Sequence, residues 1–112
     1  MQWTLEVQKN TLLVRLAGEF DLGSADKLRR ELDQTIEEAQ IRHIIFNLSD
    51  TSYIDSSGLG VMLGRYKRIA QFGGKMAVVT PQPQVKRILE LSGLLTIINE
   101  YHDEGEAMIQ IG

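Results

Sequence analysis

The sequence predicts an α/β fold: a mostly parallel sheet, opened by an N-terminal β-hairpin and continued by alternating helices. Three observations carry this. Residues Trp3 to Gln8 alternate apolar and polar side chains, the period of a half-buried strand. Later, short apolar runs such as Ile44-Ile45-Phe46 and Met76-Ala77-Val78-Val79 have the composition of strands covered on both faces. Between those runs lie segments with apolar residues at three- and four-residue steps, the period of amphipathic helices. Strands alternating with helices imply right-handed crossovers and parallel pairing. No linker, repeat or low-complexity stretch interrupts the chain, and 112 residues suit one domain, 1–112.

The elements follow in order. Trp3, Leu5 and Val7 form the apolar side of the first strand, Lys9-Asn10 a tight turn, and Thr11 to Leu16 the second strand. Gly18 to Gly23 breaks the pattern, and Ser24 is placed to cap a helix. That helix buries Ala25, Leu28, Leu32, Ile36 and Ala39, leaving Lys27, Arg29, Arg30 and Glu37 in solvent. Ile44 to Leu48 is the central strand, and Ser49 to Ile54 reads as a polar loop. A second helix begins near Asp55-Ser56-Ser57-Gly58, with Leu59, Met62, Leu63, Tyr66, Ile69 and Ala70 as its stripe, and closes at Gly73-Gly74. After the buried run at Met76, Pro83 starts a third helix lined by Val85, Ile88, Leu89 and Leu91 and ended by Gly93. Thr96-Ile97-Ile98, short and β-branched, is the expected last strand. Asp103 to Ile111 forms a final helix with Ala107, Met108 and Ile111 inward.

Composition narrows the function. A formal net charge of -3 and the lack of a long basic run argue against binding nucleic acid or an anionic membrane. The short basic segments Arg65-Tyr66-Lys67-Arg68 and Lys86-Arg87 read as solvated helix faces. With no cysteine there is neither a disulfide nor thiol chemistry, which suits a reducing cytoplasm. The first residues lack a signal-peptide layout, and no apolar stretch nears the roughly 20 residues of a membrane helix. Two distant histidines give no metal-ligand spacing, and no cofactor motif is present.

One strand-to-helix connection, Asp50 through Gly58, stands out, because the functional surface of an open α/β sheet lies at the carboxyl ends of its strands. It carries two adjacent serines at a helix start, beside an aspartate and a glycine. Three roles fit those residues. Asp55, Ser56 or Ser57 could cap the helix, with Gly58 easing close packing. An exposed hydroxyl there could accept a phosphate, adding about -1.5 to -2 charges where a helix dipole tolerates them. A serine nucleophile is the third. It lacks the G-x-S-x-G elbow, since Ile54 and Ser56 stand at its glycine positions, and nothing places His43 or His102 beside Ser56. Gly60 and Gly64, four residues apart on one helix face, are expected to serve close helix–sheet packing.

Asp55-Ser56-Ser57-Gly58-Leu59-Gly60, extended by Val61-Met62-Leu63-Gly64-Arg65-Tyr66-Lys67, resembles the signature of STAS-domain anti-sigma factor antagonists, and the Gly-Arg-Tyr-Lys extension favours their sporulation branch. Gly18-Glu19-Phe20-Asp21, Ile41 to Ile44, Gly73 to Met76 and Ser92-Gly93-Leu94 extend the resemblance over about Leu13 to Ile98. Phe20 stands where the family usually has leucine. The resemblance implies a STAS-like domain that is not an enzyme and needs no cofactor. Its unphosphorylated form would bind an anti-sigma factor that is also a serine kinase, an ATP-bound dimer, and so free a sigma factor of the sporulation sigma F type. Phosphorylation of Ser56 would switch binding off, and a separate serine phosphatase would reset it. Asp21, Asp55, Ser57, Gly58 and Leu59 would form the partner-binding switch region of a cytoplasmic monomer. A general-stress antagonist, a stressosome-type scaffold and a nucleotide-binding domain remain as alternatives.

Overall fold

Strands β1 (Gln2–Gln8) and β2 (Thr11–Phe20) form the antiparallel hairpin in a computed structural model that describes residues 1–112. Gln8 pairs with Thr11 across the two-residue turn, where Lys9 takes the positive φ of 56° that tight hairpin turns demand. Then come α1 (Leu22–Glu38), β3 (His43–Ile54), α2 (Ser56–Ala70), β4 (Met76–Val79), α3 (Pro83–Leu91), a 3₁₀ turn (Leu94–Thr96), β5 (Asn99–Tyr101) and α4 (Glu104–Ile111). The sheet order is β1-β2-β3-β4-β5, and every pair after the hairpin is parallel.

That order decides the layers. Each crossover steps to the next strand in the same direction, and right-handed crossovers of that kind lay their helices on one face. Accordingly α1, α2 and α3 share one core with Leu12, Val14, Leu16, Ile44, Phe46, Leu48, Met76 and Val78. The residues between them in sequence, Leu13, Ile45, Ala77 and Val79, point the other way and are covered by Ala107 and Ile111 of α4. The expected run Ile44-Ile45-Phe46 is fully buried because both faces are covered.

A polar clip ties α4 to the sheet. Arg15 on β2 donates two hydrogen bonds to the Glu104 carboxylate, at 2.8 and 2.7 Å, and one to Glu6 at 2.9 Å. Asn47 on β3 donates a further bond to Glu104 at 2.7 Å. The Arg15 bonds, and then Asn47, hold Glu104 below the usual carboxylate pKa.

Several expectations change. Gly18 does not end β2: with φ of +100° it sits among register shifts that carry the strand on to Phe20. Asp21, not Ser24, caps α1, its side chain accepting from Gly23 N–H at 3.1 Å. Residues Ser49 to Ile54 are not a loop but the far half of β3, paired with Ala17 to Phe20. Leu91 is 75% exposed, so Val85 and Leu89 anchor α3 without it. Thr96-Ile97-Ile98 is not a strand. Gly93, at φ of +82°, turns the chain into the 3₁₀ segment, and the strand falls on Asn99–Tyr101. No helix is long and apolar enough to cross a membrane.

Candidate functional site

A single residue, Asp55, connects β3 to α2, so the helix starts directly at the carboxyl end of the central strand. The Asp55 N–H donates to the Phe20 carbonyl at 3.1 Å, holding the ends of β2 and β3 together. Its Oδ1 accepts from the N–H groups of Ser57 at 2.8 Å and Gly58 at 3.1 Å, satisfying two of the free donors of the first turn. Its Oδ2 accepts from the Leu22 N–H at 3.2 Å. Leu22 opens α1. One carboxylate thus joins the N-termini of two neighbouring helices, and Asp21 caps the second of them.

Capping is therefore the work of Asp55, and both serine hydroxyls are released from it. Ser56 is exposed at the first helical position, Ser57 half-buried at the second, and neither hydroxyl makes a hydrogen bond. Gly58 is buried where α2 crosses the end of β2. A Cβ there would lie 2.8 Å from the Phe20 carbonyl oxygen and 2.9 Å from its ring, so only glycine fits. Leu59 is half-buried and packs against the main core.

The structure brings Asp21, Asp55, Ser56 and Ser57 to one surface, with Gly58 buried beneath them and Leu59 facing mainly inward. His43 lies at the opposite end of β3 from Ser56, with its Nδ1 accepting from the Lys75 N–H at 3.0 Å. His102 follows β5, and its side chain makes no hydrogen bond to Ser56. The geometry pairs no imidazole base with the serine hydroxyl.

Two features were absent from the sequence reading. Leu22 is 75% exposed beside the Asp55 carboxylate, an apolar side chain off the buried stripe of α1 that could have been marked for that reason. A shallow groove also runs between α1 and α2, lined by Leu22, Ala25, Arg29, Ser57, Gly60 and Val61. Gly60 and Gly64 are not packing glycines, since a Cβ at either would meet nothing within 4 Å.

The sheet is singly wound, and its central strand delivers an unengaged serine beside two capped helix N-termini. The STAS domain profile matches residues 2–107, and the chain belongs to that family. Among its relatives, an anti-sigma F factor antagonist of Paenibacillus polymyxa is 42% identical over 111 residues, covering 99% of this chain and 95% of that protein. The structure of the anti-sigma factor antagonist SpoIIAA in its unphosphorylated form matches with a TM-score of 0.88 at 30% identity, covering 98% of this chain and 96% of that one. The Bacillus cell fate determinant SpoIIAA in its phosphorylated form matches with a TM-score of 0.79 at 28% identity, covering 99% and 100%.

Proposed function

We propose that this chain is an anti-sigma factor antagonist of the sporulation type, regulatory rather than catalytic, whose grip on its anti-sigma factor is released by phosphorylation of Ser56. The observation that carries the reading is the free, exposed Ser56 hydroxyl in a turn already capped by Asp55. Its likeness to antagonists of that class, one of them known in both phosphorylation states, supports it.

The physical logic runs through charge. A phosphate on Ser56 adds about two negative charges at a helix N-terminus, where the backbone dipole favours them. The domain itself should then stay folded. Asp55 and Asp21 already place two carboxylates on the same surface, so the phosphorylated form presents a dense negative patch to any partner. An interface fitted to the neutral hydroxyl would lose about 3 kcal/mol, roughly a hundredfold in affinity. The partner in this reading is an anti-sigma factor with serine kinase activity, bound to ATP as a dimer. A serine phosphatase returns the antagonist, a monomer, to its active state.

The test is to incubate the protein with its anti-sigma kinase and ATP, map the phosphate by mass spectrometry, and compare affinities by calorimetry. Phosphate is expected on Ser56, with at least about a hundredfold weaker binding afterwards. Ser56→Ala should bind and resist release, and Ser56→Asp should bind poorly. Phosphate solely on Ser57 or Ser52, or equal affinity of the two forms, would overturn the assignment.

A further inference from the structure

At the pole opposite Ser56, where β2, β3 and β4 begin, lies a cavity of about 740 Å³, within the usual span of small-molecule sites. Lys9, Arg42 and Lys75 line it, no Asp or Glu does, and the one anionic group at its rim is the backbone carboxyl of Gly112. None of the three forms an ion pair elsewhere in the protein. Three cations against one carboxyl leave a net positive charge, and such an excess marks a place where an anion gains energy by arriving.

The backbone around them is fixed. The Asn10 carbonyl accepts from the N–H groups of Arg42 at 2.7 Å and His43 at 3.2 Å, and the Lys75 carbonyl accepts from Ile44 N–H at 3.1 Å. Gly73, at φ of +76°, and Gly74 let the chain pass beneath Arg42: a Cβ on Gly73 would lie 3.2 Å from its Nη2, and one on Gly74 would strike its carbonyl. His43 is only 7% exposed yet lines the cavity. Since its Nδ1 accepts the Lys75 N–H, the neutral ring carries its proton on Nε2, and that N–H donates to nothing in the protein. The other wall is apolar, formed by Met108, Ile109 and Ile111, with Ile109 78% exposed.

We infer that this cavity binds a small organic phosphate ester, its phosphate held by Lys9, Arg42, Lys75 and the His43 Nε2–H and its carbon portion laid against Met108 and Ile109. A phosphate dianion matches three cations and an unpaired ring N–H better than a carboxylate, because it offers more acceptor oxygens and twice the charge. Burial first, then the nearby charges of Arg42 and Lys75, holds the His43 pKa below its ordinary value, which keeps the ring neutral as a donor. The site is independent of the Ser56 surface and does not rest on the function proposed for it.

The test is an NMR titration of the isotope-labelled full chain at about 0.15 M salt, where weak surface attraction is screened. The probes are phenyl phosphate, inorganic phosphate and benzoate. Phenyl phosphate should give saturable shifts of the Lys9, Arg42, His43 and Lys75 amides and the His43 ring, leaving His102 and Ser56 unmoved. It should bind about tenfold or more tighter than inorganic phosphate, from the apolar wall, and than benzoate, from the charge. Lys75→Gln and Lys9→Gln, both exposed, should each weaken it by about tenfold, while Lys27→Gln on α1 should not. Shifts that drift without saturating, benzoate binding as tightly as phenyl phosphate, unchanged binding in both lysine variants, or shifts at Ser56 with His43 silent would each overturn the proposal.

Discussion

Gly58 and Gly60 lie two residues apart in α2 and should respond oppositely to the same substitution. A methyl group at Gly58 has nowhere to go, being 2.8 Å from a backbone oxygen and 3.0 Å from the Ile54 side chain. Gly58→Ala is expected to cost about 1–3 kcal/mol, the usual scale of overpacking. At Gly60 the space is open, and alanine recovers the roughly 1 kcal/mol that glycine costs in a helix interior. Urea unfolding of the two variants checks both signs. Asp55→Ala removes three hydrogen bonds at once, two within α2 and one to α1, and should lower stability by about 1–2 kcal/mol. Ser56→Ala, which breaks none, should leave the urea midpoint unchanged. Sequence placed these residues together but left the capping role open, because aspartate and serine cap equally well and only the hydrogen bonds choose between them. The link from Asp55 to Leu22 spans 33 residues, a long-range contact that no local pattern announces.

α4 is the element whose attachment depends most on charge. Glu104 is held ionised below the ordinary glutamate value of about 4.5 by Arg15 and Asn47, so the folded protein takes up its proton less readily than the unfolded chain. The stability this confers is complete above that ordinary value and disappears as pH falls through the lowered one. Glu104→Gln should reduce stability at neutral pH by about 1–2 kcal/mol and flatten the loss on acidification below about pH 4.5. Urea midpoints measured at neutral and acidic pH in both proteins check it. Elements set by periodicity were legible: the stripes of α1 and α4 lie where their three- and four-residue steps put them. The second half of β3 was not, for a physical reason. β4 stops at Val79, opposite Asn47, so beyond that point β3 has β2 on one edge and no strand on the other, where only the Gln82 and Gln84 side chains donate to the Ser49 and Ser52 carbonyls. Exposed Ser52 and Tyr53 are tolerated there, while Thr51 and Ile54 still point into the core. A half-covered strand end looks like a loop in sequence. The converse misled at Thr96-Ile97-Ile98, where β-branched residues favour a strand but the positive φ of Gly93 commits the chain to a helical turn. Ile98 is buried all the same.

At the scale of the whole molecule the question is whether the hairpin edge unfolds with the rest, as one domain spanning 1–112 requires. β1 is the least buried long strand, with Trp3 and Leu5 half-covered and Val7 44% exposed. Side-chain contacts nevertheless tie it to α1: the Trp3 indole N–H donates to Glu31 at 3.2 Å, and the Lys27 ammonium sits 5.7 Å from the ring centroid. It is also paired along its full length with β2, an interior strand of the sheet. Trp3 is the single tryptophan, so its fluorescence reports on this edge while far-UV circular dichroism reports on the helices. The two signals should trace one urea transition with a common midpoint, and calorimetry should give a van't Hoff enthalpy equal to the measured one, on the order of 80 kcal/mol near 60 °C for a chain this long. A tryptophan transition that precedes the helical one would make β1 a separately opening flap. In that case the hairpin edge would be adjustable rather than fixed, held to α1 by the Trp3 and Lys27 contacts.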